Sequence, residues 1–170
     1  MTIEGCIMKK IFIDRVLSGL AVIGWMAVIF FFSAQPAEVS SETSGGIVSK
    51  IVELVYPNFE AMAEPEQTAI LDVWQTVVRK GAHFCAYALL GVLVANAIRT
   101  YDVQKRLRYG IPVAVSILYA ISDEIHQYFV PGRSCQFSDM CIDTAGAAFG
   151  TAMFALAVFL IGKWRKKGPL

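Results

Sequence analysis

Acidic, basic and amide side chains concentrate in one stretch of a mostly apolar chain, SDEIHQYFVPGRSCQFSDMCIDTAGAAFG between Ser122 and Gly150. Its chemically capable residues are Asp123, Glu124, His126, Gln127, Arg133, Asp139 and Asp143. Charged groups among apolar segments are costly, so such a cluster indicates a functional site. Carboxylates and imidazoles transfer protons, and a guanidinium binds anions.

Three interpretations of this cluster stay open. It could be a polar clasp that locks helices together without chemistry. It could be a binding site for a polar head group, with Arg79, Lys80 and Arg133 supplying the positive charge. It could be the catalytic site of a membrane enzyme that modifies a lipid or lipid-linked head group, with Glu124 or His126 as the general base and Arg133 stabilising negative charge.

Helical spacing predicts the local partners within the stretch. Gln127 follows Asp123 by four residues and Glu124 by three, so its amide can bind either carboxylate. His126 lies three residues after Asp123, which can hold the imidazole in one tautomer.

Beyond the turn, Arg133 can pair with Asp139 or Asp143, or offer its guanidinium to an anion. Imidazole and carboxylate ligands suit zinc or manganese. The spacing matches no known ligand signature, however, so we predict neither a metal nor a cofactor.

A second polar group precedes the stretch, because Lys80, His83 and Tyr87 share one helical face at i, i+3 and i+7. We expect it to join the site. The predicted ligand-binding residues are Lys80, His83, Tyr87, Asp123, Gln127, Arg133, Asp139 and Asp143.

Composition places these residues in a membrane protein. Of the 170 residues, 56% are apolar and 17% charged, and the mean hydropathy is +0.55. No basic cluster is interleaved with aromatic residues, which excludes ordinary nucleic-acid binding. The four cysteines form no CxxC motif, and whether Cys135 and Cys141 pair stays open.

The hydropathy pattern predicts one all-α membrane domain over residues 1–170, a bundle of four transmembrane helices at about 11–32, 81–98, 109–127 and 140–161. A cleaved signal peptide is the alternative for the first apolar run, although that run exceeds the usual signal core of about 7 to 15 residues.

Between the first two spans we expect an outer-face loop that contains an amphipathic helix. Gly45 and Gly46 indicate an aqueous turn, and apolar residues recur at helical spacing over 47–55. Pro65 indicates the start of the next helix, and Ser138 is the expected N-cap of the last one.

Basic residues predict the orientation. Four crossings put both termini and the Arg99–Arg108 connection on one side, with 11 of the 15 Lys and Arg residues. By the positive-inside rule that side is cytoplasmic, so the polar stretch faces outward.

A stripe of acidic and small residues runs along the last span, with Asp139, Asp143, Gly146 and Gly150 at i, i+4, i+7 and i+11. The two glycines form a GxxxG spacing that permits close helix–helix association. The stripe should face the bundle. A role as the structural partner of a membrane complex, with this stripe as the interface, is a further hypothesis.

Three motifs in order, FSAQP, RKGAHFCAYALLG and the stretch described above, resemble the VanZ-like family of small membrane proteins over about Phe30 to Gly150. Its motif residues are matched here by Ser33, Gln35, Lys80, His83, Tyr87, Asp123, Glu124, His126, Gln127, Pro131, Gly132, Arg133, Asp139, Asp143 and Gly146.

The resemblance implies a multi-pass protein of the bacterial cytoplasmic membrane. The founding member of the family is associated with low-level resistance to the glycopeptide teicoplanin. We therefore expect the outward polar site to recognise a cell-envelope component, such as a lipid or peptidoglycan-precursor head group, or a glycopeptide.

Overall fold

The computed structural model describes residues 3–166, and its regular structure is entirely helical, as predicted. The helices are α1 (Ile3–Ser33), α2 (Ala37–Val55), α3 (Glu64–Ile98), α4 (Lys105–Gln127) and α5 (Phe137–Lys166), with a short 3₁₀ turn at Phe59–Ala61 between α2 and α3.

Three of the helices, α1, α3 and α5, are long and apolar enough to cross a membrane. They contain the predicted spans 11–32, 81–98 and 140–161. At about 1.5 Å per residue, the 35 residues of α3 exceed a hydrocarbon core of about 30 Å. Helix α4 contains the predicted span 109–127, but its hydropathy is below that of a helix apolar enough to cross a membrane.

Contacts between helices fix their relative directions. Trp25 of α1 donates to the carbonyl oxygen of Ala86 in α3 at 2.8 Å, and Arg15 donates to that of Thr100 at 3.1 Å, so these helices are antiparallel. Tyr119 of α4 donates to the carbonyl oxygen of Met26. The ends of α1 and α4 that follow these residues also lie together, because Ser33 donates to Asp123 and Phe30 stacks on His126.

Glycines let α3 and α5 approach closely and in parallel. A Cβ atom on Gly146 would lie 2.3 Å from the carbonyl oxygen of Phe84, and one on Gly150 would lie 1.9 Å from that of Ala88. Because these contacts are with backbone, no side-chain rotation could make room. The small-residue stripe faces the bundle, as predicted, and it packs within the chain.

The prediction of an aqueous turn at Gly45 and Gly46 was wrong. Gly45 and Gly46 do not form a turn but lie inside α2, whose Val48 and Val52 are buried. Burial of this apolar face offsets the cost of about 1 kcal/mol per helical glycine. Tyr56 ends the helix, and α3 begins at Glu64 beside Pro65.

The connection from α4 to α5, residues 128–136, contains a turn at Pro131 and Gly132. Gly132 has φ +71°, a conformation that favours glycine. Pro131 accepts a hydrogen bond at its carbonyl oxygen from the Ala37 backbone at 3.2 Å, which fixes the turn against the start of α2. Cys135 and Cys141 are both free and exposed.

The close contacts of the α5 glycines predict that a larger residue at Gly150 destabilises the protein. Gly150→Ala should lower the free energy of unfolding by about 1–3 kcal/mol, because the added methyl group meets the α3 backbone. Thermal unfolding in detergent measures this change.

Gly162→Ala is the matched control on the same helix, since a Cβ there has no neighbour within 4 Å. It should leave the melting temperature unchanged or raise it. Equal behaviour of the two variants would contradict the close approach of α3 and α5.

Candidate functional site

The predicted polar residues meet at one end of the helical bundle. Asp123 lies near the end of α4, and its Oδ2 accepts hydrogen bonds from Ser33 at 2.9 Å, Tyr87 at 3.4 Å and Gln127 at 3.4 Å. Of the two carboxylates within reach of the Gln127 amide, the structure selects Asp123. Its carboxylate therefore joins α1, α3 and α4.

Helices α3 and α5 contribute two further pairs. Lys80 Nζ lies 2.8 Å from Asp139 Oδ1, and His83 Nδ1 lies 3.3 Å from Asp143 Oδ1. Lys80 also donates to Ser138 Oγ at 3.0 Å. The N-cap prediction for Ser138 was wrong, because α5 begins at Phe137 and the serine is already helical.

One imidazole and two carboxylates lie close enough to share a ligand. His83, Asp123 and Asp143 each place one potential ligand atom within 4.8 Å of the others. Both aspartates are buried, with 2% and 0% exposure. This donor set is chemically able to hold a divalent cation.

Glu124 and His126 have partners of their own. Glu124 is fully buried, and its Oε2 accepts from the backbone N–H of Gln136 at 2.8 Å, which ties the turn to α4. The His126 ring stacks on Phe30 with centroids 4.4 Å apart instead of bonding to Asp123. No hydrogen bond joins Glu124, His126 and Arg133 to one another within residues 3–166.

Arg133 binds backbone instead of a carboxylate. It donates to the carbonyl oxygens of Gln35 at 3.1 Å and Phe32 at 3.4 Å. Within residues 3–166 it makes no ion pair with Asp139 or Asp143. Burial lowers the pKa of Arg133, and the nearby charge of Arg79 lowers it further, yet a guanidinium with so high an ordinary pKa stays charged.

A cavity of about 490 Å³ lies between α1, α2, α3 and the α4–α5 turn. Its walls are mostly apolar, and its lining also includes polar and charged residues. Residues on this cavity include Trp25, Ile29, Phe32, Ser33, Ser40, Thr43, Ser44, Arg79, His83, Tyr87 and Arg133. The volume suits a small-molecule or lipid head-group site, which usually occupies about 300–1,000 Å³.

The contribution of α2 to this cavity was not predicted from the sequence. Ser40, Thr43 and Ser44 line it, and Gln75 of α3 holds that helix through a hydrogen bond to Ser44 Oγ. The signal was the i, i+3, i+4 spacing of the three hydroxyl residues, which is typical of one helical face.

Long apolar helices around a buried polar cluster define a helical membrane protein. The profile of the VanZ/LLP1 family matches residues 19–159, and the chain belongs to this family. No curated protein and no solved structure is detectably similar to it.

The contact between Glu124 and the turn predicts a local effect on backbone opening. Glu124→Ala removes the acceptor of the Gln136 N–H, so amide hydrogen exchange of peptides covering 133–138 should become at least about tenfold faster, the equivalent of one lost charge-assisted hydrogen bond. Hydrogen-exchange mass spectrometry measures this rate.

Glu124→Gln keeps an acceptor oxygen and should preserve most of the protection. Identical acceleration in both variants would show that the negative charge, and not the hydrogen bond, holds the turn. No acceleration in either would remove the anchoring role of Glu124.

Proposed function

We propose that this VanZ/LLP1 family protein binds a cell-envelope amphiphile whose anionic head group is held by Arg79 and Arg133. The observation that carries the proposal is the presence of two arginines, Arg79 and Arg133, among the residues that line a mostly apolar cavity. Phosphate and carboxylate groups fit the geometry of a guanidinium, which donates two parallel hydrogen bonds to them.

The charge on these arginines is available to a ligand. In the part of the chain that the structure describes, the ion pairs are Lys80 with Asp139 and His83 with Asp143, and neither involves an arginine. The buried Nε of Arg79 has no hydrogen-bond partner there. Two like charges held close together also repel each other, and a bound anion would relieve that repulsion.

The apolar walls provide room for a tail. Val28, Phe32 and Leu89 line the cavity and are also substantially exposed on the outside of α1 and α3. In a membrane protein such a surface contacts lipid, so an acyl or prenyl chain could pass from the bilayer into the cavity without entering water. The head group would then meet the arginines.

We further propose that α4 is the fourth crossing and that the site faces the outside of a bacterial cytoplasmic membrane. Helices α3 and α5 run parallel, so α4, which joins them, has to return across the same layer. Basic residues at the opposite end, including Arg15 and the Arg99–Arg108 connection, support a cytoplasmic location for that end.

Recognition of an envelope component would give a physical basis for an effect on glycopeptide sensitivity. A glycopeptide acts on envelope precursors outside the membrane. A protein that binds such a precursor, or the glycopeptide itself, would therefore change the binding of the glycopeptide to the precursor. This link to teicoplanin rests on family membership and on the site chemistry together.

The first test uses lipids of defined charge. Arg79→Gln and Arg133→Gln should each weaken binding of dioleoyl phosphatidic acid about tenfold or more, because each removes charge-assisted hydrogen bonds of about 1.5–3 kcal/mol. Binding of dioleoyl phosphatidylcholine should change little. Native mass spectrometry of the detergent-purified protein measures both.

Arg106→Gln is the matched control, since Arg106 is exposed at the opposite end of α4. It should bind phosphatidic acid as the unaltered protein does. Equal affinity of all four proteins would refute anion recognition by the two arginines.

In a teicoplanin-susceptible host, any change in growth inhibition caused by the protein should be lost with Arg133→Gln.

The second test concerns orientation. In a background that lacks the native cysteines, a membrane-impermeant maleimide applied to intact cells should label Ser41→Cys and spare Gln104→Cys, both of which replace exposed residues. Lysed cells provide the control in which both react. The reverse pattern would place the site on the cytoplasmic side.

A further inference from the structure

We propose that His83, Asp123 and Asp143 bind a divalent transition-metal ion, with zinc or manganese the fitting choices. These residues come from three different helices, α3, α4 and α5, and meet inside the protein. The ion would lie beside the cavity described above, because His83 also lines that cavity.

Distances within the group suit a single ion. A tetrahedral metal about 2.1 Å from each ligand holds neighbouring ligand atoms about 3.4 Å apart. His83 Nδ1 and Asp143 Oδ1 are already 3.3 Å apart. Each of the three residues places one potential ligand atom within 4.8 Å of those of the other two. Side-chain adjustments of about an ångström would bring such a group to the spacing of ligands around one ion.

Two buried carboxylate oxygens point independently to a missing partner. Asp123 Oδ1 and Asp143 Oδ2 have no hydrogen-bond partner among residues 3–166, although both residues are almost completely buried. Leaving a buried charged acceptor unsatisfied is expensive. A cation bound between the two aspartates would satisfy Asp123 Oδ1, and it would satisfy Asp143 Oδ2 when Asp143 binds it through that oxygen or through both.

The surrounding contacts resemble those that orient metal ligands. Asp123 accepts hydrogen bonds from Ser33, Tyr87 and Gln127 at Oδ2 alone, which leaves Oδ1 free. Metal-binding carboxylates are commonly held in this way by an outer set of donors. Such support fixes the carboxylate before the ion arrives.

Charge balance also favours a cation. Among the ion pairs of the described residues, His83 is the partner of Asp143, Asp123 has none, and the Lys80 ammonium is paired with Asp139 at 2.8 Å. Two carboxylates thus share a single imidazole. Calcium prefers six to eight oxygen ligands, whereas one nitrogen and two oxygens suit zinc or manganese.

Metal titration of the purified, full-length protein tests the proposal. After chelator treatment and dialysis in detergent, Zn²⁺ or Mn²⁺ should bind at one ion per chain and raise the melting temperature. Loss of an outer partner of a metal ligand costs about 10–100-fold in affinity, so Asp143→Asn, which alters a ligand itself, should cost about 100-fold or more.

Asp139→Asn is the matched control, because Asp139 lies one turn earlier on the same helix and bonds to Lys80 instead. It should retain the ion. If Asp143→Asn fails to fold, X-ray absorption of the zinc-loaded protein decides: nitrogen and oxygen neighbours including one imidazole support the site, and sulfur neighbours assign the zinc to the four exposed cysteines.

A proton shared among the three side chains would satisfy the same oxygens without a metal. In that case no ion binds at one per chain, and the proposal is overturned. Equal metal binding by the unaltered protein and Asp143→Asn overturns it as well. The outcome is separate from lipid recognition, since Arg133→Gln should leave metal stoichiometry unchanged while weakening binding of phosphatidic acid.

Discussion

Close contact between α3 and α5 is the constraint on which the site depends. Gly146 and Gly150 place the backbone of α5 directly against the carbonyl oxygens of Phe84 and Ala88. Gly91 approaches the α5 backbone in the same way at the carbonyl oxygen of Ala147. Three such contacts allow one register, because sliding either helix would drive larger side chains into backbone.

This register decides which charges meet. One turn before Gly146 it brings Asp143 against His83, and two turns before Gly146 it brings Asp139 against Lys80, so the acidic residues of α5 have partners on α3. Burying a charge is favourable only when it is compensated by nearby partners. Packing by small residues and pairing by polar residues are therefore two results of one helix–helix contact.

Much of this arrangement could be predicted from the sequence, because periodicity determines which residues share a helical face. The apolar spans, the inward stripe of α5 and the polar face of α3 all follow from spacing. The individual contacts between segments could not be predicted from this spacing. Arg133 binds the carbonyl oxygens of Gln35 and Phe32, and backbone acceptors leave no trace in residue identity. Helix α2 continues through two glycines because burial of its apolar face outweighs their low helix propensity.

Because the acidic residues bond to other donors, they form no ion pairs with Arg79 or Arg133 within the described residues. The negative charges of Asp123, Glu124 and Asp139 act on Arg133 and raise its pKa. Each of these carboxylates nevertheless accepts hydrogen bonds from other donors. Held by carbonyl oxygens, which are neutral, its guanidinium keeps its full charge beside that of Arg79. The proposed cation site lies among buried acidic residues, whereas the proposed anion site lies at two arginines that line the cavity. His83 belongs to the first group and also lines that cavity, so the two proposed sites are neighbours.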